Sequence, residues 1–279
     1  MNTHKIINFL MTHHLHYLSR FIVKILSIVL KSNVKNSIIE HKYWLQEYKI
    51  GSNYSNNKFV DFLPNYRTNS YQDAKKICDD VIFSHYKPNL NDICIDIGAG
   101  IGTESIFMSK LVGSGKVYSI EAFKDVFAVL NMNMKHNNLH NVNTYNLAIT
   151  ASNGYAYISD NDNHIENKIS INDLSDNVRK VESITIDQFI KDHEIRQIDF
   201  LKVNIEGAEK ELIKCFNKIT LVKNVAISCH DFLGIRNGDT DMFTKDKVVN
   251  FLKANNFIVS TLNTPNDWDN DWVFGSQKP

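Results

Sequence analysis

Apolar and polar positions along this chain follow two periods, and the switches between them mark out the elements. From Ile93 onward, short apolar runs rich in β-branched residues alternate with stretches in which apolar residues recur every three or four positions. The first pattern predicts buried strands and the second amphipathic helices. The expected order is strand 92–97, helix 102–111, strand 116–120, helix 124–136 and strand 142–149, then a hairpin-like insert in which Gly154 leads Tyr155-Ala156-Tyr157-Ile158. A polar loop at 159–178 precedes strand 181–185, helix 186–193, strand 199–205, helix 208–216, strand 224–229, helix 244–255 and two closing strands, 257–261 and 272–276. Strands joined by crossover helices predict an α/β fold, a doubly wound and mainly parallel sheet that binds ligands at the carboxyl ends of its strands.

The region ahead of this reads differently. Residues 5–31 form one expected helix, with His13, His16, Arg20, Lys24, Ser27, Lys31 and Lys35 on one stripe and Ile7, Met11, Leu18, Ile22, Ile25 and Val29 opposite. Residues 32–66 are rich in Asn, Lys, Tyr and Ser with little periodicity, and read as a linker or irregular arm; a helical pattern resumes over 70–86. The division this predicts is an amphipathic helix and arm over 1–65 and a main domain over 66–279.

Composition narrows the classes. With 279 residues, 43% hydrophobic and 22% charged, the chain suits one globular core with an appendage. Net charge is zero overall but uneven, +5 over residues 1–50 and −5 over the rest. A mildly acidic main domain argues against a nucleic-acid partner. The four cysteines, Cys78, Cys94, Cys215 and Cys229, have no metal-site spacing and suit reduced thiols in a cytoplasmic setting. The apolar stretch Phe21 to Leu30 is interrupted by Lys24, too short to cross a bilayer, and followed by no small-residue cleavage site. A basic amphipathic helix of this kind fits peripheral contact with an anionic membrane, or docking on the main domain or a second subunit, and the sequence leaves both open. His13-His14-x-His16 lacks a carboxylate or cysteine companion and reads as a solvated face.

The stretch richest in chemistry is Ile93-Cys94-Ile95-Asp96-Ile97-Gly98-Ala99-Gly100-Ile101-Gly102, a buried strand that meets a glycine bend opening a helix. A dinucleotide fingerprint is G-x-G-x-x-G, but here the third glycine comes one residue early. That spacing disfavours a nicotinamide cofactor and an oxidoreductase. Asp96 just ahead of the bend suits a cationic ligand better than a pyrophosphate, and S-adenosylmethionine carries a sulfonium, an amino group and a ribose diol with no phosphate. The second strand ends in Glu121, placed to accept from both ribose hydroxyls, with Phe123 nearby to pack on the adenine.

Further blocks add to this: Asn146-Leu147-Ala148-Ile149, Val181-Glu182-Ser183-Ile184-Thr185-Ile186-Asp187-Gln188-Phe189, and Ile198-Asp199-Phe200-Leu201-Lys202-Val203-Asn204-Ile205-Glu206-Gly207-Ala208-Glu209. With the glycine bend and Ile120-Glu121-Ala122-Phe123, they closely resemble the FkbM family of S-adenosylmethionine-dependent methyltransferases from about residue 90 to about 276. The resemblance implies a class I methyltransferase domain with a seven-stranded sheet whose last strand is antiparallel. It also implies methyl transfer to a hydroxyl oxygen of a sugar or small metabolite. Asp96, Gly98, Ala99, Gly100, Gly102, Glu121, Ala122, Phe123 and Ala148 stand where the family's cofactor residues would be. One departure is Asn204, where the family usually has Asp; an amide keeps the hydrogen-bonding shape without the charge.

Attack by a hydroxyl on a sulfonium is helped by a general base. His230 and Asp231, after the fifth core strand, and Glu206, after the fourth, are the candidates. His230 is the first choice because a neutral imidazole takes a proton near pH 7, with Asp231 or Glu206 to orient it. A divalent ion on the same three residues is the alternative; the missing carboxylate at 204 counts against it, and no metal is assigned. Lys202 is expected to pair with an acid across the sheet. The loop 262–271 with Trp268 and the insert 159–178 are either flaps over the acceptor or solvated loops. A competing reading of the whole chain, motivated by Asn204 and the basic helix, is a cofactor-binding module without catalysis, tethered to a membrane or a glycan-assembly partner.

Overall fold

The structure, a computed structural model, describes residues 3–50, 53–65, 70–159, 169–170 and 178–278. Its centre is a seven-stranded sheet built from β4 (Ile93–Ile97), β5 (Lys116–Ile120), β6 (Val142–Tyr145), β11 (Ile198–Val203), β12 (Val222–Ser228), β13 (Phe257–Thr261) and β14 (Trp272–Gln277), in the order β13-β14-β12-β11-β4-β5-β6. Neighbouring strands are parallel except at β14, which runs antiparallel to β12 and β13. Helices α3 (Ser70–Ile77), α4 (Thr103–Val112), α5 (Lys124–His136), α6 (Ile186–Asp192), α7 (Glu209–Lys214) and α9 (Lys245–Ala254) accompany it, with the short α8 (Asp231–Asn237) and α10 (Asp267–Asn270) near the C-terminus. The sheet separates two cores, one around Ile95, Leu201, Phe189 and Val248, the other around Cys94, Met108, Phe200 and Trp272. Chain order reverses between β4 and its neighbour β11, and a crevice opens there at the carboxyl ends of the strands. The doubly wound sheet with an antiparallel last strand is therefore as expected.

Three local expectations fail for physical reasons. The single helix over 5–31 is two, α1 (Thr3–Thr12) and α2 (His16–Val29), folded back on each other through His14 at φ 58°. The turn lets Ile7 and Met11 of one helix and Val23 of the other share a core with Ile38 and Trp44, which a continuous helix facing the same surface would not reach.

The arm over 32–66 is not irregular. It forms an antiparallel sheet of β1 (Val34–Ile39), β2 (Tyr43–Ile50) and β3 (Asn53–Asp61). Its period was hidden because β2 is buried on both faces. Trp44 packs toward the helical hairpin, Tyr43 and Leu45 pack toward α5, and the polar Gln46 is buried with its amide on the Leu63 carbonyl, 2.9 Å away. β3 docks through its edge. Asn133 of α5 bonds both the amide (2.6 Å) and the carbonyl (3.0 Å) of Val60, and Asn137, one turn on, does the same for Lys58 at 3.1 and 2.8 Å. Two side chains thus satisfy an edge that would otherwise be left unpaired.

The expected strand 142–149 is split. Asn146 turns its amide onto the carbonyls of Glu121 and Ala122, both at 2.9 Å, and the chain leaves the main ladder. It re-enters as β7 (Ala148–Ile149) in a third sheet with β8 (Gly154–Ser159), β9 (Ile169–Ser170) and β10 (Val178–Ile184), ordered β7-β10-β8-β9.

Candidate active site

The glycine bend closes as a backbone structure. The amides of Gly98 and Ala99 both donate to the Ile120 carbonyl, at 2.9 and 3.0 Å, and Asn204 donates to the Ile97 carbonyl at 3.0 Å. Gly98 sits at φ +70° with the Asn204 carbonyl oxygen only 1.8 Å from where a Cβ would stand, so no other residue fits. Gly102 is required for a different reason. Its missing side chain makes room for Leu130 and Met134 of α5, and it touches helix rather than ligand space.

Beyond the bend lies a cavity of about 500 Å³. Its walls come from Gly98, Gly100 and Ile101, from the end of β5 through Glu121, Ala122 and Phe123, from Leu147 to Ile149, and from Asn204 to Glu206. Gly98, Gly100, Glu121, Ala122, Phe123 and Ala148 thus meet at one cavity, as their places in the sequence suggested. Asp96, Ala99 and Gly102 do not reach it.

Glu121 braces the bend as well as lining the cavity. Its Oε2 accepts from the Gly100 amide at 2.9 Å and its Oε1 from the Phe123 amide at 2.8 Å. Burial raises its pKa, against the pull of those two amides and of Lys202. The oxygen of the Asn204 amide is also buried on this wall and has no hydrogen-bond partner, an acceptor waiting for a donor.

Asp96 has another partner than a ligand. Its carboxylate is fully buried, 2.9 Å from the Lys202 ammonium on the neighbouring strand, and takes the Ser105 hydroxyl at 2.6 Å. Lys202 and Asp96 are register partners in the β11–β4 pair. The ammonium also donates to the Gly98 carbonyl at 2.9 Å, tying the pair to the bend. Burial is the largest single influence and works against the lysine's charge, but Asp96, Glu104 and Glu121 together outweigh it and the pKa rises. The expected cross-sheet role of Lys202 is what the structure shows.

The candidate bases fare unequally. His230 is 3% exposed and lies outside the cavity wall. Its Nε2 is 3.3 Å from Glu206 Oε2, and its Nδ1 is 3.5 Å from Glu209 Oε1, a charge contact without good hydrogen-bond geometry. Burial alone would drive its pKa down; the two glutamates outweigh burial and lift it to about 10. A pKa of that height keeps the imidazole protonated at neutral pH, and with the ring outside the cavity wall the geometry favours a brace for Glu206 over the base expected of it. Asp231 points elsewhere: Oδ1 accepts from the amides of Thr244 and Lys245, at 2.8 and 3.1 Å, and caps α9. Glu206 does line the cavity, held there with φ +53° in a loop that Glu209 braces by accepting from the Ile205 and Gly207 amides. Trp268 of the loop 262–271 packs edge-on against Trp272 and takes no part in the wall. The insert 159–178 lies largely outside the described residues. Among those described, no group of three or more His, Cys, Asp or Glu side chains is placed to hold a metal ion.

Sequence reasoning missed one wall altogether. Asp61, Phe62 and Leu63, at the end of β3, close the cavity from the N-terminal sheet. Burial raises the Asp61 pKa to about 6, against the amides of Phe62 and Leu63. The signal available in the sequence was the apolar run Tyr43-Trp44-Leu45 of β2 and the Phe59-Val60 pair of β3, obscured by the asparagines and lysine ahead of that pair. Among the described lining residues, three carry carboxyl groups (Asp61, Glu121 and Glu206) and none is Lys, Arg or His.

Residues 96–259 match the family model described as the methyltransferase FkbM domain. No curated protein matches the chain. Among solved structures, the chain is similar to a putative rRNA-methylase from Clostridium thermocellum, with 16% identity, 73% of this chain and 93% of that chain covered, and a TM-score of 0.42. An O-methyltransferase from Bacillus cereus in complex with SAH shares 14% identity over 66% of this chain and 72% of its own, with a TM-score of 0.43. Fibrillarin from Aeropyrum pernix, with natively bound S-adenosyl-L-methionine, shares 12% identity over 88% and 98%, with a TM-score of 0.42.

Proposed function

The chain belongs to the FkbM methyltransferase family, and from that premise we propose that it transfers the methyl group of S-adenosylmethionine to a hydroxyl oxygen of a sugar-like or small-metabolite acceptor. The observation that carries this reading is the lining of the cavity, with three carboxyl groups and no basic side chain among the described residues. Such a wall suits a cationic cofactor and an acceptor without phosphate, and it opposes a nucleic-acid backbone.

The residues present fit the cofactor. Glu121 offers acceptor lone pairs toward a ribose diol, the bend at Gly98 and Gly100 keeps side chains out of the way, and the unpartnered Asn204 oxygen can take an amine donor. When bound, S-adenosylmethionine supplies a methyl group on a sulfonium. Lining up the acceptor behind that methyl is worth on the order of 7–11 kcal/mol of the barrier in favourable cases.

The hydroxyl proton has to leave as its oxygen bonds to carbon and the carbon–sulfur bond breaks. Asp61 and Glu206 are the carboxylates left for this task once Glu121 is given to the ribose; Asp61 too accepts backbone amides, those of Phe62 (2.6 Å) and Leu63, and keeps further lone pairs for an acceptor hydroxyl. With its pKa near 6, Asp61 is suited to taking the proton at neutral pH. Glu206, held by the His230 imidazolium, is suited to orienting the hydroxyl. The test is incubation with methyl-labelled S-adenosylmethionine and mixed hydroxylated sugars and metabolites. An alkali-stable label on an ether oxygen is expected. Label on nitrogen, on carbon or on added RNA would overturn the reading.

A further inference from the structure

The outward face of α2 has no counterpart in the methyl-transfer chemistry. The inward side of this helix is used up: Ser19 and Val23 are buried against α1 and the N-terminal sheet. Tyr17, Leu18, Phe21, Ile25, Ile28 and Val29 point the other way, with Tyr17 89%, Val29 70% and Ile28 67% exposed. At 3.6 residues per turn these six fall within an arc of about 120°. Arg20 and Lys24 follow along one edge of that arc, Arg20 also reaching the Ile38 carbonyl at 3.5 Å, and Lys31 stands just past the helix end at φ 49°; no Asp or Glu occurs anywhere in residues 3–39.

Half of the apolar stripe that marks this segment as amphipathic is therefore consumed by folding, while Leu18, Ile25 and Val29 remain in water. A contiguous apolar strip of this size marks an interaction surface. We propose that α2 docks the protein on an anionic lipid surface, with the apolar strip at the acyl boundary and Arg20, Lys24 and Lys31 among the headgroups.

Charge decides the occupant. Cationic stems that run beside an apolar strip can extend to anionic headgroups while the strip is buried. A second copy on the same face would bring two cationic edges together with no acid in the segment to offset them. Spanning is not at issue: α2 has 14 residues, and no helix among the described residues is long and apolar enough to cross a membrane.

The test is flotation of the full chain with vesicles of pure phosphatidylcholine, and with vesicles of equal parts phosphatidylcholine and phosphatidylglycerol. Binding is expected only to the second and should weaken as salt is raised. Phe21→Ser with Ile25→Ser and Ile28→Ser should reduce it by about tenfold or more, and Lys24→Glu with Lys31→Glu should reduce it separately. Affinity for S-adenosylhomocysteine should stay unchanged in both variants, which shows that they fold. The proposal is overturned if the wild type ignores anionic vesicles, or if both variants bind them as well as it does. It is equally overturned if light scattering finds a dimer that the serine variant converts to monomer.

Discussion

Lys202 crosses from β11 to β4 and places its ammonium 2.9 Å from the carboxylate of Asp96, with both side chains sealed from water. The pair lies one layer beneath the cavity and holds the Gly98 carbonyl from below. It joins the two strands between which the ligand crevice opens. The Asp–glycine and Lys–Glu blocks of the sequence are therefore one device, with the acid and the lysine buried so that the backbone above them keeps its shape.

Removing one partner should show this. Lys202→Met leaves Asp96 charged and uncompensated and should cost about 3–5 kcal/mol of stability. Lys202→Met combined with Asp96→Leu should recover a large part of that loss in urea unfolding, because the buried carboxylate that had lost its counter-ion is gone as well. A double variant as unstable as the single one would contradict the assignment.

Glu121→Ala should leave a folded protein with weakened binding of S-adenosylhomocysteine. The variant loses the acceptor proposed for the ribose and also strands the amides of Gly100 and Phe123. Charged hydrogen bonds of this type contribute about 1.5–3 kcal/mol each, so calorimetry should read a loss of at least ~tenfold in affinity. Unchanged affinity would reject Glu121 as a cofactor contact.

His230 sets a pH dependence of stability. Its folded pKa of about 10 lies above the usual 6.5, so above pH 6.5 the folded protein holds a proton that the unfolded chain has lost. Stability from this group is full below pH 6.5 and is lost as pH rises toward 10, with a slope of up to ~1.4 kcal/mol per pH unit. In His230→Asn that part of the decline should disappear from a series of urea midpoints. The same slope in both proteins would place the proton elsewhere.

Asp61 predicts the acidic limb of the rate. Since its carboxylate forms as pH rises through about 6, single-turnover methyl transfer should climb across that value. Asp61→Asn should lower the rate by about 10²–10⁴-fold and abolish the limb, leaving cofactor affinity within a few fold. If Glu206→Gln removes the limb and Asp61→Asn does not, the two carboxylates exchange roles.

Asn133→Leu tests the docking of the N-terminal sheet. It leaves the Val60 amide and carbonyl buried without partners and should cost about 1–3 kcal/mol for each group left unsatisfied. Because the same sheet carries Asp61 to the cavity, methyl transfer should fall with stability. Transfer at the wild-type rate in the intact fraction would separate that sheet from the reaction.

What the sequence determined on its own is the part governed by local rules. Apolar periodicity sets the strands and crossover helices of the main sheet, and steric limits at Gly98 single out the bend. The family blocks name the cofactor, and of the nine residues expected around it Gly98, Gly100, Glu121, Ala122, Phe123 and Ala148 line one cavity. Tertiary structure decided whatever depends on partners far apart in the chain. Asp96 is a buried counter-ion because Lys202 arrives beside it. The pKa of His230 is raised because Glu206, in the loop after β11, and Glu209, opening α7, converge on it. The Asn-rich arm is a sheet because Asn133 and Asn137 complete its edge, and only that docking brings Asp61 to the cavity wall. The charge state of a side chain and the pairing of a strand edge are set by what packs against them, and a linear pattern contains neither.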